Sequence, residues 1–206
     1  MTAEDRRASE LLKSWFGTSP MDAGRLPERQ KFWFGTDPER DRSMAGRFEV
    51  LVREAEGGRL DGWARSARGR LALILLHDQV RRNIFRGSPE AFARDGRARY
   101  LMRDGFARQM DLKLSPVERC FFFRPLQHSE SLHDQETAVD RYRQLEQEVS
   151  GELRPAFAGF TQLAKAHRDI IARFGRFPHR NAILGRLSTP EEQAWLNASP
   201  PDLNQR

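Results

Sequence analysis

The chain holds one cysteine and four lysines in 206 residues, and the single cysteine closes off two classes of explanation. With Cys120 alone, in the run Cys120-Phe121-Phe122-Phe123, no intramolecular disulfide can form and no zinc site can be built on thiolates. The longest purely aliphatic run is Leu71 to Leu76, far short of the ~20 residues that span a bilayer, so no membrane segment is expected. The first residues carry acids and lack an apolar core with a small-residue cleavage site, which argues against a secretory signal and makes the cytoplasm the expected compartment. Alternating Val/Ile/Thr-rich runs bounded by turn residues are absent, which excludes a sheet of any size. The scarcity of lysine sets off the opposite excess, since 31 of the 35 basic residues are arginine. A GC-rich genome produces the same ratio, so the net charge of +6 bears on solubility and non-specific binding before it bears on function.

Helix signals fill the chain. Ala8, Leu11, Leu12, Trp15 and Phe16 form an apolar stripe over a helix from about Ala3 to Phe16 that Gly17 ends, and residues 18 to 31 read as irregular. Asp37-Pro38-Glu39 opens a second helix that stops at Gly57 and Gly58. The stretch from Leu71 is apolar all round, which places it at the centre of the core, and it turns polar at His77, Asp78, Gln79, Arg81, Arg82 and Asn83, where it is expected to emerge. Ser88-Pro89 restarts helix and Asp95 is placed to cap another. Ser115-Pro116-Val117-Glu118 and Thr189-Pro190-Glu191-Glu192 are capping boxes, and Pro125 should kink or end the helix that the first one opens. Pro155 starts a long amphipathic helix that Gly175 is suited to end in a left-handed conformation. The result is an all-α domain over residues 1–198, built of antiparallel helical hairpins as a bundle or solenoid-like array, with residues 199–206 expected to be disordered.

The stretch from His167 to Arg186 stands out, with five arginines, two histidines, an aspartate and an asparagine in twenty residues. Phe174 and Phe177 are apolar anchors that would hold its loop down while Arg176, His179, Arg180 and Asn181 point elsewhere. All five histidines, His77, His128, His133, His167 and His179, fall in three segments: 71–92, 121–135 and 167–186.

Taken together, LALILLHDQVRRNIFRGSPEAF, FFFRPLQHSESLHDQ and HRDIIARFGRFPHRNAILGR, with WFG near residue 15 and FWFG near residue 32, resemble the bacterial domain-of-unknown-function 924 family over nearly the whole chain. The resemblance implies an all-α fold of tetratricopeptide-repeat-like helical hairpins, and it brings no catalytic roles, because the activity of that family is not established. The family pattern has an aromatic residue and a proline after Leu-Asp-Gln, where this chain has His77 before Asp78 and Val80 and Arg81 after Gln79. Asp78, Gln79, Arg82, Asn83 and Arg86 match.

If the three segments meet, they form a polar pocket against the most apolar helix. Its expected ligand-binding residues are Arg82, Asn83, Arg86, His128, His133, Arg173, Arg176, His179, Arg180 and Asn181. Arginine forks bind carboxylate or phosphate in bidentate fashion, so the expected partner is a small anionic ligand or an acidic peptide. An enzyme would add a histidine base, His128 or His179, oriented by Asp78, Glu130 or Asp134, with arginine stabilising developing charge, and the sequence leaves that choice open. A protein-interaction scaffold is a third reading, and nucleic-acid binding, with Phe174 and Phe177 stacking on bases, ranks below it. No cofactor is expected, since neither a P-loop nor a dinucleotide fingerprint occurs. No metal is expected, since His128 and His133 are five apart and cannot share a helix face.

Each candidate also has a plain structural role open to it. His167 lies on the apolar stripe and suits a core histidine bonded to a neighbour. Asp78 with Arg82, and Asp169 with Arg173, are spaced as ordinary helix ion pairs. Asn83 and Asn181 can bond their own turns, and Ser131, three residues before Asp134, suits a cap better than a nucleophile.

Overall fold

The computed structural model describes residues 3–17 and 23–198, and the expected disordered tail at 199–206 lies outside them. Helix follows helix along the chain: α1 (Ala3–Phe16), α2 (Leu26–Phe34), α3 (Pro38–Glu56), α4 (Ala67–Leu75), α5 (Arg81–Ile84) and α6 (Asp95–Ala107). Then come α7 (Pro116–Phe122), α8 (Arg124–Gln127), α9 (Leu132–Glu148), α10 (Arg154–Phe174) and α11 (Pro190–Asn197). The described residues contain no strand, so the protein is all-α.

The cap signals at Asp37, Ser115 and Thr189 work as the sequence states them. Asp37 Oδ1 accepts from the backbone N–H of Glu39 and Arg40, and both capping boxes close in each direction. Gly175 ends α10 at φ 68°, a conformation that costs glycine nothing and strains any other residue. One stretch departs from expectation. Residues 26–31 lie in the segment that reads as irregular, yet with 32–34 they form α2, because Leu26 and Trp33 sit two turns apart on one face and both are buried. Pro27 occupies the first turn, where its missing N–H costs no bond.

The aromatic clusters of the sequence meet around Phe121. Its ring lies edge-on to Trp15 at 5.7 Å, Phe16 at 5.3 Å and Trp33 at 4.7 Å, and Trp33 Nε1 donates to Trp15 O at 2.9 Å. Pairs of this kind contribute about 0.5–1.5 kcal/mol each beyond their burial, so this hub ties α1 and α2 to α7.

At the centre runs α4, with Leu71 through Leu76 fully buried. It does not emerge at its polar end. A π turn over Leu76–Val80 joins α4 to α5, and the inserted residue shifts the phase of α5 by roughly 100°. His77, Asp78, Gln79, Arg81, Arg82 and Asn83 are all buried, against the expectation of an exposed tip. Around this polar half pack α3, the 3₁₀ turn Pro89–Phe92 and α6, while α9 and α10 form a long hairpin against α8, their short connection making the two helices antiparallel. The last element is a small satellite core of Ile170, Ile171 and Phe177 with Leu163, Phe174 and Trp195, which docks α11 against the end of α10.

Candidate functional site

The segment between α8 and α9 carries His128, and the π turn carries Asp78. Their side chains meet at 2.6 Å, His128 Nδ1 to Asp78 Oδ1, with His128 only 2% exposed and Asp78 0%. Gln79 Nε2 donates to the other oxygen of Asp78 at 2.7 Å, and the Arg82 guanidinium lies 3.3 Å from the first. Burial alone would push the Asp78 carboxyl up, but His128 and Arg82 beside it outweigh burial and hold it well below the usual carboxylate range. Burial pushes the His128 imidazole down, against the pull of Asp78, so the ring is neutral at pH 7. An ionised carboxylate at 2.6 Å requires a hydrogen on Nδ1, which makes the 3.3 Å approach of Arg82 Nε to that nitrogen a contact and not a hydrogen bond. The remaining ring nitrogen, Nε2, is then the basic atom of His128.

A second carboxylate completes the arrangement. Arg82 Nη2 donates to both oxygens of Asp95 at 2.8 Å, and Arg180 Nη1 lies 3.7 Å from Asp95 while donating to the His128 carbonyl at 3.0 Å. The sequence suggests Asp95 as a helix cap. Instead it is the first residue of α6, no side chain caps that helix, and its carboxylate turns inward to the two arginines. Burial raises the Asp95 carboxyl above its ordinary range, with Arg82 opposing. The Phe92 ring lies 5.0 Å from the Arg82 guanidinium and 4.8 Å from that of Arg180, so both forks are fixed by an aromatic contact as well as by charge. Burial, with Arg82 next, pushes Arg180 down to about 9, still cationic at neutral pH.

A cavity of about 310 Å³ opens over these groups, lined by Phe92, Asp95, Arg99, His128, Glu130 and Arg180. Arg99 is its loosest cation, 29% exposed, with its nearest carboxylate, Asp134, at 3.8 Å. Glu130 closes one side, accepting from the Phe177 N–H at 2.8 Å and from both terminal nitrogens of Arg186 at 2.7 and 2.9 Å. That clamp fixes the 175–188 loop to the turn that carries His128.

Of the expected site residues, the structure brings together Asp78, Arg82, His128, Glu130 and Arg180. It does not bring the others to this cavity. Arg86 is bonded to Asp41 at 2.6 Å and to Asn83 Oδ1, and Arg173 pairs with Glu191 on the surface. Arg176 forms a fork with Glu192 at 2.6 and 2.8 Å, and Asn181 donates to Glu192 and Ser188, so both stabilise their own loop. His179 packs its ring 5.4 Å from Phe177, and His133 lines a different cavity. His167 is the buried core histidine its position suggests, with Nδ1 2.8 Å from Leu163 O. Asp169 pairs with Arg168 in place of Arg173. Ser131 makes no side-chain cap; the neighbouring Ser129 hydroxyl donates to Asp134 at 2.7 Å and accepts from the Ser131 N–H. Phe177 is fully buried and Phe174 packs against Trp195 at 5.5 Å, which makes both anchors of the loop.

Sequence reasoning misses Asp95, Phe92, Arg99 and Arg186 as members of the site. The spacing of Asp95 and Arg99, one turn apart at the start of a helix, is a signal for those two, and it says nothing of Phe92 or Arg186. Among the described residues, no group of three or more His, Cys, Asp or Glu is placed to hold a metal ion, and no helix is long and apolar enough to cross a membrane.

A family model described as "Bacterial protein of unknown function (DUF924)" matches residues 11–199. The chain belongs to the DUF924 family. Its fold is similar to a solved structure from Agrobacterium tumefaciens, titled as a protein of unknown function, ATU0120. The TM-score is 0.79 at 35% identity, covering 95% of this chain and 99% of that one. No curated protein matches. The family therefore supports the helical architecture and supplies no chemistry for the cavity at His128.

Proposed function

We propose that this DUF924 chain is a cytoplasmic protein that binds a small carboxylated or phosphorylated molecule in the cavity at His128. The observation that carries the reading is one juxtaposition: a neutral imidazole, held from behind by a buried carboxylate, faces a 310 Å³ cavity whose walls include Arg99 and Arg180. A cavity of that size suits a small metabolite, and convergent polar groups on an aromatic wall fix its orientation. Because Arg82 and Arg180 are already engaged with Asp95, Arg99 is the cation that meets the incoming anion. The reading calls on no cofactor.

The test is calorimetric titration with inorganic phosphate and with malonate. Wild type is expected to bind at least one of them saturably, and Arg99→Gln to bind it about tenfold more weakly, the loss of one charge-assisted contact. Equal affinity in the two proteins removes Arg99 from the site. An Arg176→Ala variant is the wrong probe, because it unpairs the buried Glu192 and disturbs the loop itself.

The Asp78–His128 pair specifically favours a second reading, in which His128 acts as a general base on the bound molecule and the nearby guanidiniums stabilise developing negative charge. Because the imidazole stays neutral well below its usual range, a base role predicts turnover that is flat from pH 8 to pH 6. Hydrolysis of p-nitrophenyl acetate and p-nitrophenyl phosphate by wild type, compared with His128→Gln, checks this; equal rates for the two proteins exclude the base role for these substrates.

A further inference from the structure

The cavity that takes His133 is larger than the first, about 390 Å³, and is built differently. Its floor is apolar: Met102 and Phe106 from α6, Phe123 between α7 and α8, and Leu126 from α8. Its other wall is one face of α9, where His133, Thr137 and Arg141 recur at four-residue spacing. Phe106 and Phe123 meet edge to face at 5.9 Å, and Phe106 is 38% exposed, an unusual state for a phenylalanine packed on a helix.

Charge is arranged so that one cation is left over. The carboxylate in this cavity, Asp134, is consumed by Arg103, by the Ser129 hydroxyl at 2.7 Å and by Arg99 at 3.8 Å. Arg141 takes no part in that. It donates to the neutral Gln144 Oε1 at 3.1 Å, lies 4.7 Å over the Phe106 ring, and makes no ion pair among the described residues. Arg29, Arg47 and Arg124 also lie over aromatic rings without an ion pair among the described residues, but of these arginines it is Arg141 that lines this cavity. An apolar floor with a single cation at its mouth matches a molecule with an apolar body and a single negative head.

We infer that this second cavity is a binding site for a small amphipathic carboxylate, with its head on Arg141 and its body on Phe106, Phe123 and Leu126. The site shares no lining residue with the cavity at His128, and the contact between them is Arg99 of that cavity with Asp134 of this one at 3.8 Å.

Octanoate and 1-octanol, which share a chain and differ in charge, are the probes, titrated by calorimetry and followed by amide chemical shifts. Wild type is expected to bind octanoate saturably and at least about tenfold more tightly than octanol. Arg141→Gln should erase that preference, bringing octanoate down to the octanol level while leaving octanol binding unchanged. Thr137→Phe, which sets a ring into the cavity, should weaken both. The shifts should centre on α6 and α9 and spare residues 175–188. The inference is overturned if octanol binds wild type as well as octanoate, if Arg141→Gln binds octanoate undiminished, or if the shifts centre on His128. Absence of saturable octanoate binding at millimolar concentration overturns it as well.

Discussion

The two halves of the central helix are about equally buried and are held in opposite ways. Leu71 to Leu76 lie within the core at 0% exposure, while Asp78, Gln79, Arg81, Arg82 and Asn83 lie between 0 and 8%. The first half is held by apolar area, at about 1.5–3 kcal/mol for each large side chain removed from water. The second half gains little net stability from its charges, because their desolvation offsets most of their attraction, but losing one partner leaves another charge stranded. Depth of burial therefore says nothing about how a segment responds to change. An apolar half tolerates exchange of one hydrophobe for another, and a paired half tolerates almost no single substitution.

The largest effect expected from this contrast is that of Arg82→Met, which removes the cation Asp78 and Asp95 share and leaves Asp95 with Arg180 at 3.7 Å and Asp78 with His128 and Gln79. Urea unfolding at pH 7 should show a loss of about 3–5 kcal/mol. A loss below ~1 kcal/mol would mean that the two carboxylates are solvated and that the halves do not differ. Leu73→Ala in the apolar half should cost about 2–5 kcal/mol, and Leu73→Ile less than about 1.5 kcal/mol, both with the pH dependence of wild type. A pH-sensitive loss in either would break the distinction from the other side.

The pH dependence of wild type sharpens it further. Burial lowers His77 from 6.5 to about 4, and His128 and His167 are lowered for the same reason. Each folded-state value lies below that of the unfolded chain, so as pH falls the unfolded state takes up protons first. The contribution is complete above pH ~6.5 and is lost as pH falls toward 4, with a slope of up to about 1.4 kcal/mol per pH unit for each histidine. Stability that stays flat between pH 7 and pH 5 would show that these rings are not held neutral. The smallest effect is that of Ser115→Ala at the start of α7, about 1 kcal/mol, since the contacts of that hydroxyl, with the Glu118 N–H and the Glu118 carboxylate, stay within one turn.

The contrast also explains how much could be read from the chain. Ser115 with Glu118, Thr189 with Glu192, and Gly175 act within one turn, and each does what its neighbours predict. His167 was legible because it sits on an apolar stripe. Asp95 was not, because its role depends on Arg82 and Arg180, far from it in sequence. Nor was the π turn, because a single inserted residue leaves no periodic trace in a stretch that is apolar on every side. For the same reason the chain points to the segment 167–186 but not to its use: Arg173, Arg176 and Arg186 differ only in which glutamate the fold brings to them.

The state of one ring tests the account most directly. Long-range proton–nitrogen correlation spectra of the histidine side chains at pH 7 read protonation and tautomer together. His128 should be neutral, with its hydrogen on Nδ1 and an unprotonated Nε2 whose shift moves when phosphate or malonate is added. A cationic His128, or a neutral ring with its hydrogen on Nε2, would contradict the Asp78 contact and the cavity chemistry built on it.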